Sequence, residues 1–130
     1  FQRGTMEGIH PNTVNVALWG AQQEQIQVTV SSIGGGAIQV TRIDGAQVLF
    51  NAQYHTTVVF NQDVAGVVAD VTARLAKHKI NIAFMRLFRE EGQAIMVIET
   101  DQPVRGAALA EIRNIPHVNR AVTIAPFEVD

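Results

Sequence analysis

The chain has 130 residues, 47% of them hydrophobic, a formal net charge of −2 and no cysteine. That length suits one domain or two very small ones, and no apolar run approaches the ~18 residues of a membrane span. The charge balance argues against a nucleic-acid partner, and the missing thiols exclude disulfides, thiolate catalysis and any cysteine-held zinc or iron–sulfur centre within this chain.

Phe1-Gln2-Arg3-Gly4 has no initiator Met and no signal-peptide pattern, and reads as an internal fragment or processed end of a cytoplasmic protein. His10-Pro11 reads as a loop. Thr13–Trp19 alternates as a strand does, Gly20-Ala21 is a turn, and Gln25–Val30 alternates again through Ile26, Val28 and Val30. Ser31-Ser32-Ile33-Gly34-Gly35-Gly36 interrupts the pattern, which resumes over Ala37–Ile43. Asp44-Gly45 is a hairpin signal, and Gln47–Asn51 follows. The glycine run has two readings. Its backbone N–H groups, with the Ser31 and Ser32 hydroxyls, could cradle an anion, or the glycines could simply kink a strand. The segment as a whole reads as an antiparallel meander, whose second face needs either a partner or sequence preceding Phe1.

Thr56–Phe60 is a β-branched and aromatic run, followed by turn and capping residues Asn61, Gln62 and Asp63. Val64, Val67, Val68, Val71 and Leu75 then fall at helical intervals, which predicts a helix capped by Asp63 and ended by Lys77, His78 and Lys79. Ile80, Ile82 and Phe84 alternate as a second strand begins. Glu90-Glu91-Gly92 marks a hairpin, and Ala94–Thr100 is the return strand. Asp101-Gln102-Pro103 starts a second helix with Val104, Ala107, Ala108, Leu109 and Ile112 on its apolar face, and Val118–Ala125 is the last strand. The order β-α-β-β-α-β predicts two helices on one face of a four-stranded antiparallel sheet, the ferredoxin-like arrangement. Its small core and open sheet edge favour dimers that continue the sheet. Catalysis finds little support: no nucleophile elbow appears, the carboxylates are scattered, and His10, His55, His78 and His117 lack the spacing of a helical metal pair.

The stretch from Phe60 to Gly66, continued by Val67, Val71, Leu75 and Lys79-Ile-Asn-Ile-Ala83, resembles an ACT domain, the amino-acid-sensing module of metabolic enzymes. Ala65-Gly66 stands where that pattern commonly has Pro-Gly. Upstream, Gly8–Val14 and Ser31–Gly45 resemble the β subunit of bacterial iron–sulfur-dependent L-serine dehydratases, in which an allosteric substrate-binding domain precedes the ACT domain. The resemblance implies an α+β chain with two parts. Residues 1–54 would be the C-terminal part of the allosteric substrate-binding domain, an antiparallel β meander, and residues 55–130 a ferredoxin-like ACT domain.

The same resemblance implies the regulatory part of an enzyme that converts L-serine to pyruvate and ammonia. Its [4Fe–4S] cluster would belong to a catalytic α chain or domain, with no cofactor in this chain. The expected partners are that α part, a second copy of the ACT domain, and a small amino-acid effector, L-serine or an analogue. Carried over by position, the effector site comprises Asp63, Val64, Ala65, Gly66 and Asn81, with helix-start N–H groups on the carboxylate and Asp63 and Asn81 on the ammonium. Ser31, Ser32, Gly34, Gly35 and Gly36 form the possible anion- or substrate-sensing loop. A regulatory fragment of D-3-phosphoglycerate dehydrogenase and a purely structural dimerisation module are the rival readings.

Overall fold

Alternation of apolar and polar residues produces eight strands, and three-four spacing produces two helices, in the computed structural model, which describes residues 13–19, 25–34, 37–51 and 53–126. The chain divides into two compact units after Gln53. In the first, β1 (Thr13–Trp19), β2 (Gln25–Gly34), β3 (Ala37–Ile43) and β4 (Ala46–Phe50) form an antiparallel meander in sequence order. Ile26, Val28 and Val30 of β2, Val40 and Ile43 of β3, and Val48 and Phe50 of β4 are buried. Asp44 and Gly45 both take positive φ (48° and 84°), the two-residue turn whose twist matches a hairpin. β2 runs further than the interruption at Ser31 suggested. Ser31 pairs with Gln39, Ser32 with Ile38 and Gly34 with Ala37, and a bulge between Ser32 and Gly34 absorbs the irregularity. Gly35 and Gly36 lie outside the described residues, as does His10.

The second unit holds β5 (His55–Gln62), α1 (Val67–Lys77), β6 (Ile82–Glu90), β7 (Gln93–Thr100), α2 (Ala107–Arg113) and β8 (Val118–Ile124). Its sheet has the order β6-β7-β5-β8, all antiparallel, as the ferredoxin-like expectation requires. Val59, Met96, Ile98 and Ala121 on the sheet meet Val67, Val71, Leu75, Leu109 and Ile112 on the helices in one core. No helix among the described residues is long and apolar enough to cross a membrane.

Three local expectations need correction. α1 begins at Val67, not Val64, and Gly66 is its N-cap with no side-chain cap bond, so Asp63 does not cap it. Val64 and Val68 are accordingly exposed, and only Val67, Val71 and Leu75 form the buried stripe. α2 begins at Ala107, because Gly106 (φ 59°) breaks the helical path. Val104 is buried in the core ahead of it. Finally, Ile82 and Phe84 do not share a face. A bulge at Ala83 lets Ile82 pair with Thr100 and Phe84 with Glu99, so Ile82 and Met85 pack on the core while Phe84 is exposed.

Candidate functional site

The loop between β5 and α1 is held by backbone bonds to two neighbouring turns. Gln62 N–H donates to the His117 carbonyl and Asp63 N–H to the Gly92 carbonyl, both at 2.9 Å. The Gln62 Oε1 and His117 Nδ1 atoms add a side-chain bond of 2.9 Å. The loop is thus fixed where the chain enters the helix. Gly66 takes φ 94°, and a Cβ there would meet nothing within 4 Å, so glycine is required by the backbone and not by crowding within the chain. The helix's first turn follows at once, with N–H groups that have no intrahelical acceptor.

Asp63 and Asn61 give this loop its chemistry. The Asp63 Oδ2 accepts from Arg89 Nε at 2.8 Å, so the carboxylate expected to meet an ammonium already holds a cation. Asn61 is 2% exposed. Its Nδ2 donates to the Gln62 carbonyl at 2.8 Å, and its Oδ1 has no hydrogen-bond partner. A buried acceptor left open at the root of a loop calls for a donor from water or a ligand.

Asn81 lies elsewhere. It sits just before β6, where its Nδ2 donates to Asp101 Oδ2 at 2.7 Å and its N–H to Gln102 Oε1 at 2.9 Å. Ile82 and His55 both oppose Thr100 at this end of the sheet, whereas Arg89 and Asn61 both oppose Ala94 at the other. At ~3.3 Å per residue the two ends are about 20 Å apart. Within one chain Asp63, Val64, Ala65 and Gly66 are therefore together and Asn81 is apart from them. Ser31 and Ser32 belong to the other unit, in the β2–β3 hairpin.

Two further carboxylates have shifted protonation. His78 Nε2 and Lys77 Nζ both bond Glu111, at 3.0 and 3.1 Å, tying the end of α1 to α2. The His78 bond first, then Lys77, holds the Glu111 carboxyl below its usual range. An open hollow of about 440 Å³, lined by Ala73, Arg74, Lys77, Glu111 and Asn114, accompanies this pair. Glu99, on β7 opposite Phe84 and Thr56, is 5% exposed with Oε1 unpartnered. Burial pushes its carboxyl up, and the nearby Arg86 offsets part of that rise.

No group of three or more His, Asp or Glu side chains that could hold a metal occurs among the described residues. With no cysteine in the sequence, the chain's donor set does not fit a [4Fe–4S] cluster.

The sheet order, the loop before α1 and the Asn81 corner are the frame in which residues 55–117 match the family described as the ACT domain. Residues 55–117 are an ACT domain. The chain is 32% identical over 119 residues, 90% of its length, to a probable L-serine dehydratase β chain of Bacillus subtilis (strain 168), covering 54% of that protein. It is 26% identical over 117 residues to the L-serine dehydratase β chain of Peptoniphilus asaccharolyticus, covering 88% of this chain and 53% of the relative. A D-3-phosphoglycerate dehydrogenase of B. subtilis is 28% identical over 114 residues, 86% of this chain but 22% of the enzyme. The chain spans about half the length of the dehydratase β chains it matches. The similarity to β chains and the ACT domain agree with the resemblance drawn from the motifs.

Asn61 and Arg89 are the ACT-domain residues that sequence reasoning missed. Asn61 reads as one more turn residue until its burial is known. Arg89 is 26 positions from Asp63, and nothing in the linear spacing joins them; the β5–β7–β6 register does.

Proposed function

We propose that this chain is the amino-acid-sensing, oligomerising part of an L-serine dehydratase, with catalysis in a separate cysteine-bearing α chain or domain that carries the [4Fe–4S] cluster. The supporting observation is the similarity to dehydratase β chains across 119 residues, which takes in both structural units. The effector is a small zwitterionic amino acid, L-serine or an analogue, bound at the Asp63–Gly66 loop with Asn81. The open acceptor of Asn61 is a further ligand contact. One ligand cannot touch both ends of one sheet, so the site is completed by a second copy. β6 ends its sheet, and its exposed Leu87 offers apolar contact. Two β6 strands paired antiparallel bring Asn81 of one copy beside the Asp63 loop of the other, twice per dimer. Ligand bound across that seam biases its packing, which is the route to regulation.

Two measurements test the reading. Calorimetry with a panel of L-amino acids should give saturable heat for L-serine or a close analogue. The purified chain should form no pyruvate from serine until the α part is supplied; activity of the chain alone would overturn the assignment. The match to D-3-phosphoglycerate dehydrogenase over 114 residues favours a second reading, a regulatory segment of that enzyme. Failure of the chain to associate with a dehydratase α part, together with retained serine binding, would favour it.

A further inference from the structure

Building on the effector reading above, we infer that Arg89 binds the effector's carboxylate, positioned by Asp63, and that the ammonium is met at the Asn81–Asp101 corner of the second copy. Asp63 is already paired through Arg89 Nε at 2.8 Å, which leaves it poorly suited to receive an ammonium. That bond orients a planar guanidinium by one edge. The two terminal nitrogens of Arg89 have no partner among the described residues, and its side chain is 68% exposed. An exposed fork of donors, held by the loop that leads into a helix start, suits a carboxylate. The buried, unpartnered Oδ1 of Asn61 at the same loop calls for a donor, which the carboxylate cannot supply and the serine hydroxyl can.

The opposite corner offers an acceptor and a carboxylate. Because the Nδ2 of Asn81 is committed to Asp101, its Oδ1 is the atom left to accept. Asp101 supplies the negative charge next to it. Joined across a β6–β6 seam, the Arg89 guanidinium of one copy and the Asp101 carboxylate of the other match the two ends of a zwitterion. Asp63 is then a positioning residue, and its charge acts through Arg89.

The test uses the 130-residue chain, with L-serine and its carboxamide, L-serinamide, as probes in calorimetry. Wild type should bind L-serine and bind L-serinamide about tenfold or more weakly, the worth of one charged hydrogen bond. Arg89→Gln should bring L-serine down to the level of serinamide while leaving serinamide unchanged. Arg89→Lys should recover part of the loss, and Asp63→Asn should weaken L-serine alone. A surface pair contributes little to folding, so these variants should melt with wild type. Equal L-serine affinity in wild type and Arg89→Gln would overturn the inference and leave the effector site standing. No heat with any amino acid in wild type would remove the site and the inference together.

Discussion

Two residues in positive φ frame α1, and they carry opposite expectations. Gly66 at φ 94° precedes the helix, and Lys79 at φ 59° follows it. Lys79 N–H bonds the Ala76 carbonyl and Ile80 N–H the Leu75 carbonyl, the paired bonds of a Schellman cap, at 3.0 Å each. Glycine usually fills the position Lys79 occupies. Lys79→Gly should therefore stabilise the chain by about 1 kcal/mol, and Gly66→Ala should destabilise it by about as much, both read from urea midpoints. Glu99 makes a third prediction at this scale. Its folded pKa is raised, so its favourable contribution is present below the unfolded value near 4.5 and lost as pH rises through the folded value. Glu99→Gln should melt higher than wild type at pH 7, and the gap should close as pH falls below 4.5. A gap that did not change with pH would show that ionisation at Glu99 costs nothing.

At the scale of elements, α1 and α2 are tied by Glu111, whose shift has the other sign. With its folded pKa lowered, its contribution is present above 4.5 and disappears as pH falls through the folded value. Glu111→Gln should melt below wild type at pH 7 and together with it in strong acid, the reverse of Glu99. The order of elements was legible in the sequence because each strand announces itself by period two and each helix by period three-four. Helix starts were less so. Asp63 has the composition of a cap, but two backbone bonds to neighbouring turns and one within the loop hold the chain out of the helix until Gly66. The face of β6 could not be read at all, since one bulged residue at Ala83 moves Phe84 out of the core and Met85 in. The candidate site divides the same way. Asp63, Gly66 and Asn81 stand in a recognisable motif, whereas Arg89 becomes relevant only when three strands are in register.

At the scale of the whole molecule, the sheet of the second unit ends in β6 and β8, and β6 carries exposed Leu87. Light scattering at tens of micromolar should report a dimer or larger species, and a charge placed at Leu87 (Leu87→Lys) should shift the population towards monomer. The separation of Asn81 from Arg89 along β6 has a genetic consequence. On the proposed two-copy site, a homodimer of Asn81→Ala would lack one wall from each of its two sites, and so would a homodimer of Arg89→Gln. Mixed in one dimer, the two defects fall on the same site and leave its twin whole. Two variants that each fail to respond to serine should therefore complement one another when combined, with up to one responsive site per mixed dimer. The same two substitutions made in one chain, paired with an unaltered copy, should instead damage both sites. Binding stoichiometry of the two mixtures, measured side by side, reads out which strands face each other.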